Sequence, residues 1–507
     1  MFLFFNFWSA VYGLPFPFDY TIINQIDSEH IFYYFQHNIY KKKMRRFKMK
    51  KDFLKQYPSV YFIGIGGISM SGLAEILLAK GFQVAGSDMK ESDETEHLRN
   101  IGISIHIGHK AENITDEVKL VVYTAAIKED NPEFVAAKQK KIPIIDRAQL
   151  LGMIMEDYPY SVAIAGTHGK TTTTGMIADI LLYAKVNPTI TVGGILPTIH
   201  SNTKIGGNSY FVAEACEYFD SFLQFYPLIG VILNIEADHL DYFKNLENIR
   251  ASFHKFTQNI AANGTLIVNH AIPHLEEITA NLACRVETVG LEGKADWTAK
   301  QITHEPDGKN SFDVFYHDNL LGRVHLHIPG DHNITNALAA FAVAYTLSLP
   351  IEDIIKGLEQ FHGTQRRFER KGEKNGILVI DDYAHHPTEI KATLAAAKKI
   401  HHNTMYCVFQ PHTYSRTKAL FDSFAESFSD ADVIIIADIY AAREKDTGLV
   451  TAQQLVEKIK EFHKNAIYCG NFEQITEYLK AHCQAGDLIL TIGAGDVYQI
   501  GEAFLNA

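Results

Sequence analysis

A short apolar run, Ser161-Val-Ala-Ile-Ala165, leads straight into Gly166-Thr167-His168-Gly169-Lys170-Thr171-Thr172, which opens a helix-compatible stretch. A strand, a glycine turn and a helix in that order constrain the fold more than any other feature of the chain. The loop's backbone N–H groups and the positive end of the helix converge on one point, where a phosphate fits. Lys170 adds a charge suited to β/γ-phosphates, and the Thr171 hydroxyl is a magnesium ligand in waiting. The pattern is a shortened G-x-x-G-K-T-T, because Ile164 stands where the first glycine of G-x-x-x-x-G-K-[ST] would be. Such a unit predicts a largely parallel sheet with right-handed helical crossovers.

Two further strands of the same region end in polar clusters. Glu214-Ala-Cys-Glu217 follows Phe211-Val-Ala213, and Asn234-Ile-Glu-Ala-Asp-His239 follows Val231-Ile-Leu233. Ligands of open parallel sheets bind beyond the carboxyl ends of the strands, so both clusters are expected to face the phosphate loop. Oxygen-rich donors suit Mg²⁺, which keeps waters and bridges phosphates. Thr171, Glu214 and His239 are therefore the candidate metal ligands, with Lys170, His239 and Glu214 the candidate catalytic groups.

A second glycine loop lies upstream. Gly64-Ile-Gly66-Gly67-Ile-Ser69-Met70-Ser71-Gly72 follows a strand and precedes a helix expected over residues 70–80. It resembles a dinucleotide fingerprint with the third glycine replaced by Ser69. Its physical content is a diphosphate-binding helix N-terminus, and Asp88, at the end of the next strand, can accept a ribose hydroxyl. A dinucleotide-dependent oxidoreductase built on this loop is the alternative from a different class, but it needs no second phosphate loop. Residues 290–328 read as a polar β insertion, 333–348 as a helix and 361–365 as a hinge. A third α/β unit follows, with strands at 377–380, 405–409, 433–437 and 487–491.

The 507 residues suffice for about three domains. A net charge of −12 argues against a nucleic-acid partner. The five scattered cysteines lack C-x-x-C spacing and fit a reducing, cytoplasmic setting. No apolar run reaches the length of a membrane-spanning helix, so no stable membrane association is expected. Fifteen of the 58 aromatic residues fall in residues 1–48, where the basic residues come after the apolar run rather than before it. That order does not suit a signal peptide. The expectation for residues 1–56 is a disordered extension or an upstream stretch read from too early a start, with Met44 or Met49 as the true start; a membrane-surface segment is the alternative.

The chain resembles the Mur ligases, the ATP-dependent amide-forming family of peptidoglycan synthesis. The resemblance spans residues 57–507. It rests on the two glycine loops, on residues 234–239, and on Asp331-His-Asn-Ile-Thr-Asn-Ala337 and Arg366-Arg-Phe-Glu369. It rests also on Asp381-Asp-Tyr-Ala-His-His-Pro-Thr-Glu389, Phe409-Gln-Pro-His-Thr-Tyr-Ser-Arg-Thr417, Asp438-Ile-Tyr-Ala-Ala-Arg443 and Gly493-Ala-Gly-Asp496. It implies a Rossmann-like UDP-binding domain at 57–158, a central P-loop ATPase-type α/β domain at 159–364 and a mobile Rossmann-like α/β domain at 365–507. Within the family, the motifs point to joining L-alanine to UDP-N-acetylmuramate through an acyl phosphate, with ATP and Mg²⁺. A ligase adding a preformed peptide in wall recycling is the neighbouring alternative. The resemblance implies that residues 166–172, His332, Asn336, Arg367 (or Arg366) and Asp382 bind ATP. It implies that Gly64, Gly66, Gly67, Ser69, Met70, Ser71 and Asp88 bind the UDP substrate. Tyr383, His385, His412 and Arg416 resemble the amino-acid end, where Arg416 would pair a carboxylate. No carbamylated lysine is expected, and the oligomeric state is left open.

Overall fold

The structure is a computed structural model that describes residues 53–305, 308–442, 444–446 and 448–507. The expectations for residues 1–48 and for Arg443 lie outside the described residues. The chain divides into a unit ending at Tyr57 and a unit from Pro58 to Ala507. Of the first, a 3-10 turn at Leu54–Gln56 is described.

The second unit carries three sheets. The first is a five-stranded parallel sheet in the order Ser104–Ile107, Gln83–Asp88, Ser59–Ile63, Leu120–Tyr123, Ile144–Asp146. Its central strand Ser59–Ile63 is apolar on both faces, as strands covered by helices on both sides must be. The third is six-stranded, in the order Glu369–Lys374, Ile377–Asp382, Leu488–Ile492, Met405–Phe409, Val433–Ile436, Ala466–Tyr468. Only its first pair is antiparallel.

The middle sheet has ten strands. Tyr160–Ala165, which feeds the phosphate loop, pairs in parallel with Ile229–Ile232 on one side and Tyr210–Glu214 on the other. The polar clusters after those two neighbours therefore flank the loop, as the sequence predicts. Helix Lys170–Tyr183 and helix Asp331–Thr346 pack into one core with this sheet.

The polar β insertion expected at 290–328 needs correction. Its strands Trp297–His304, Asn310–Tyr316 and Asn319–Leu326 extend the central sheet, joined through Val289 opposite Trp297. Trp297, Phe312, Val314, Val324 and Leu326 are fully buried. The Trp297 ring lies 5.2 Å from Tyr345 and 6.0 Å from Phe341 of helix Asp331–Thr346. The segment reads as polar because Lys300, Gln301, His304, Asn319, Arg323 and His325 interrupt it, while its apolar residues at 297, 299, 312, 314, 324 and 326 are buried. Among the described residues, no helix is long and apolar enough to cross a membrane.

Candidate functional site

The phosphate loop is held open by two glycines and one asparagine. Gly166 and Gly169 both take positive φ, +141° and +83°. A side chain at Gly169 would also meet Asn336 Oδ1 at 2.8 Å, so this position has neither the conformation nor the room for one. Asn234 brackets the next residue: its Oδ1 accepts from the His168 N–H at 2.7 Å and its Nδ2 donates to the His168 carbonyl at 3.1 Å.

Lys170 is the first residue of its helix, and its ammonium folds back onto the loop. It donates to the Thr167 carbonyl at 3.1 Å and to Glu217 Oε2 at 3.0 Å. Burial disfavours its charge, but Glu217, with Glu214 further off, more than restores it and raises the Lys170 pKa. Glu214 accepts from the Gly193 N–H at 2.6 Å. Thr171 stands at the adjacent Gly194, so Thr171 and Glu214 border the same glycine pair. His239 stacks on Tyr218 with ring centroids 4.2 Å apart and lies within electrostatic reach of Glu217 and Lys170. A hydroxyl, a carboxylate and an imidazole lowered in pKa by burial are a donor set that fits Mg²⁺.

Across the loop lies a cavity of about 210 Å³. Its wall combines His168, Gly169 and Thr172 with His332, Asn336, Arg367 and Asp382. The structure thus brings together the phosphate loop and the four other residues expected on the ATP side. It also separates the two arginines. Arg366 is consumed within its own domain, donating to Asp381 Oδ2 at 3.0 Å and to the carbonyls of Gly495 and Gly493 at 2.7 and 2.6 Å. Arg367 faces the cavity. Asp382 accepts from the backbone of Phe368 and Ala384, and burial pushes its carboxyl up to about 6.

The amino-acid candidates also converge. Arg416 Nη1 lies 3.1 Å from His412 Nδ1, the rings of His385 and His412 are 6.1 Å apart, and Tyr383 packs edge-on to His385. Burial, reinforced by Arg416, lowers both histidines to about 4 and leaves them neutral. Arg416 Nη2 already has a carboxylate partner, Asp238 Oδ1 at 3.3 Å, contributed by the central domain. Burial alone would raise Asp238; Arg416 holds it well below the usual carboxylate range.

At the first glycine loop, Asp88 is tied down. Its Oδ2 accepts from the Gly66 N–H at 2.9 Å and its Oδ1 from the Met89 N–H at 2.7 Å. Asp88 therefore shapes the loop. Gly67 and Ser69 stay exposed at the start of helix Ile68–Ala79, where Met70 and Ser71 turn inward.

Sequence reasoning assigned no role to Glu389, which is central here. Its Oε1 lies 3.0 Å from His168 Nδ1 and 3.8 Å from Arg367 Nη1, and its Oε2 accepts from the His385 N–H at 2.9 Å. Burial opposes its charge, yet His385 and His168 hold it well below the usual range. His168 answers in kind: burial lowers it, but Glu389 and Glu236 raise it to about 9. The signal was present in His386-Pro-Thr-Glu389, a proline at the first helical position and a glutamate at the third, which is a capping-box pattern. Glu217 and Asp238 were likewise visible only as members of clusters.

Comparison with known proteins agrees with this geometry. Residues 59–159 match "Mur ligase family, catalytic domain", 164–344 match "Mur ligase middle domain" and 366–495 match "Mur ligase, glutamate ligase domain". The UDP-N-acetylmuramate–L-alanine ligase of Clostridium tetani is 52% identical over 458 residues, 90% of this chain and 100% of the relative. The ligase of the same description from Acetivibrio thermocellus is 53% identical over 452 residues, 89% of this chain and 96% of the relative. The crystal structure of the UDP-N-acetylmuramate–alanine ligase from Thermotoga maritima superimposes with a TM-score of 0.74 at 29% identity, covering 88% of this chain and 98% of that one. A murein peptide ligase from Psychrobacter arcticus gives 0.65 at 26% identity, with the same coverage. With three domain matches in the expected order and half its residues shared over nine-tenths of its length, the chain belongs to the Mur ligase family.

Proposed function

We propose that this protein joins L-alanine to the lactyl carboxylate of UDP-N-acetylmuramate, with ATP converted to ADP and phosphate, in peptidoglycan synthesis. The observation that carries this reading is the 52% identity over the whole length of an L-alanine-adding relative. The cavity beside the phosphate loop is consistent with it.

The substrate carboxylate attacks the γ-phosphorus, ADP leaves, and an acyl phosphate remains. The alanine amine then attacks the acyl carbon, phosphate departs, and the amine's proton is released. Phosphoryl transfer of this kind needs positioning and charge neutralisation above all. On this reading the amides of residues 166–172 hold the phosphates, and Lys170 exchanges Glu217 for phosphate oxygen. Thr171, Glu214 and His239 would hold Mg²⁺, which supplies neutralisation of the β- and γ-phosphate charge. His332, Asn336, Arg367 and Asp382 line the nucleotide cavity. Gly64, Gly66, Gly67, Ser69, Met70 and Ser71 present the helix N-terminus to the UDP diphosphate, with Asp88 bracing the loop.

At the other end, Arg416 releases Asp238 and pairs with the alanine carboxylate. Neutral His385 and His412, beside Tyr383, frame the amine. Closing the C-terminal domain over the loop excludes water, to which an acyl phosphate would otherwise be lost. The place of action is the cytoplasm, where the five free cysteines stay reduced.

Phosphate release in the presence of UDP-N-acetylmuramate and ATP tests the reading, with L-alanine, glycine, L-serine and a preformed tripeptide supplied in turn. Turnover that depends on L-alanine supports it. Release that requires no amino acid, or requires the tripeptide, overturns it.

A further inference from the structure

His168, Glu236 and His386 each offer a ligand atom, and the three atoms lie within 4.8 Å of one another. They come from three separate places: the phosphate loop, the turn after strand Ile229–Ile232, and the N-cap of helix Pro387–Lys398. We propose that these side chains form a site for a borderline dication such as Zn²⁺ or Co²⁺, which clamps the central domain to the C-terminal domain across the cavity.

The donor chemistry selects the ion. Two imidazoles and one carboxylate, with a fourth position left for water, suit Zn²⁺ or Co²⁺; Mg²⁺ prefers an all-oxygen octahedron. With two imidazoles among three donors, the site differs from the Mg²⁺ set, which has one imidazole, His239, beside the Thr171 hydroxyl and the Glu214 carboxylate. The spacing is wider than a bound ion requires. His168 Nε2 is 3.5 Å and His386 Nδ1 is 4.0 Å from the same Glu236 Oε2. Ligand atoms around a tetrahedral zinc stand roughly 3.3 Å apart, given bonds of about 2.0 Å. Closing the set shortens the first distance by about 0.2 Å, the second by about 0.7 Å and the widest, up to 4.8 Å, by as much as about 1.5 Å.

Four observations indicate that the site is built. His168 Nε2 is buried, makes no hydrogen bond, and has as its one ion-pair partner Glu236, itself a member of the set. The other nitrogen of the same ring faces Glu389 Oε1 at 3.0 Å, the carboxylate–histidine pairing that orients metal-bound imidazoles. Glu236 is fixed in turn by the Thr388 hydroxyl, which donates to it at 2.6 Å. His386 gives up little on binding, because its Nδ1 accepts only a long 3.4 Å bond from the Thr388 N–H. The ion would take the place of the proton on His168 Nε2, which passes to solvent.

The ion site stands on these three side chains alone. Its consequence for the enzyme rests on the ligase reading: His168 and Glu236 line the nucleotide cavity, so the clamped form excludes ATP. Co²⁺ titration of the full chain in Mg²⁺-free buffer tests the first part. One equivalent should give an intense tetrahedral d–d spectrum without thiolate charge transfer, displaced by Zn²⁺. His386→Asn keeps a helix cap and should weaken Co²⁺ at least 10-fold. Glu236→Gln should do the same and serves as the second variant, each checked for an unchanged circular dichroism spectrum. Unchanged affinity in both folded variants, or a thiolate band, overturns the site. At fixed free Zn²⁺ the apparent KM for ATP should rise in the wild type and not in His386→Asn. Cobalt bound at the site with ATP affinity unaffected overturns the clamp while leaving the ligase reading intact.

Discussion

The Lys170 ammonium stands 3.0 Å from Glu217 Oε2 at the mouth of the phosphate loop, with Glu217 buried and Lys170 half-buried. The pair keeps a lysine charged in a site otherwise lined by backbone amides and holds it ready for phosphate. It also ties the loop strand to the neighbouring strand Tyr210–Glu214, which ends three residues before Glu217.

Lys170→Met should therefore fail in two separable ways. Phosphoryl transfer loses its neutralising charge, and kcat should fall by about 10²–10³-fold. Glu217 is left buried without its partner, which costs about 3–5 kcal/mol of stability. Adding Glu217→Gln should restore the melting temperature and leave kcat low. A double variant that regains activity would show that Lys170 serves the fold and not the chemistry.

A second exchange is expected at the amino-acid end. Arg416 is paired with Asp238 before any substrate arrives, so L-alanine must displace a carboxylate that is already bound. Asp238→Asn should lower the KM for L-alanine, by roughly 3–10-fold if the contact is worth about 1 kcal/mol. Arg416→Lys loses the planar fork and should raise that KM by at least 10-fold. Initial-rate kinetics at saturating ATP and UDP-N-acetylmuramate separate the two. An unchanged KM in Asp238→Asn would mean the pair opens before alanine binds.

Much of this was readable in the chain because strand, glycine turn and helix occur in an order few folds accept. The loop at 166–172 fixed the sheet direction, and the sheet direction placed the clusters at 214–217 and 234–239 beside it. Ser201–Lys204 was not legible because all four residues are polar, and Ser104–Ile107 because two polar–apolar alternations are too short to stand out. The strand at 297–304 was misjudged as polar because only Trp297 and Ala299 are buried and polar residues fill most of the rest. Which of Arg366 and Arg367 faces the nucleotide could not be read from adjacent letters; it depends on the carbonyls of Gly493 and Gly495, more than a hundred residues away. Asp238 and Glu389 were overlooked for a similar reason, as Arg416 and His168, the partners that give them their roles, lie in the opposite domain.

Gly169 offers a test of the loop geometry itself. Its φ of +83° and its 2.8 Å clearance to Asn336 Oδ1 both exclude a methyl group. Gly169→Ala should cost about 1–2 kcal/mol of backbone strain and turn the amides of the loop away from their common point. ATP binding measured by calorimetry should fall at least 10-fold, while UDP-N-acetylmuramate binding at the first glycine loop stays unchanged. Parallel loss of both would indicate general unfolding and refute a local effect.

The last prediction concerns Asp179, on the helix that the phosphate loop begins. This carboxyl is 2% exposed, and its Oδ1 has no hydrogen-bond partner. Burial raises its pKa from 3.8 to about 7, with Thr198 opposing the shift. A carboxyl raised on folding binds its proton more tightly in the folded state than in the unfolded one, so stability must fall as pH increases between the two values. The loss begins near pH 4 and is complete just above pH 7, reaching on the order of 3–4 kcal/mol. Asp179→Asn keeps the shape and removes the ionisation. It should raise the unfolding midpoint at pH 8 by several degrees and leave it nearly unchanged at pH 3.5, below both values. Chemical denaturation at the two pH values provides the measurement. Equal stabilisation at both would mean that Asp179 is already protonated throughout, and that its side chain acts by packing alone.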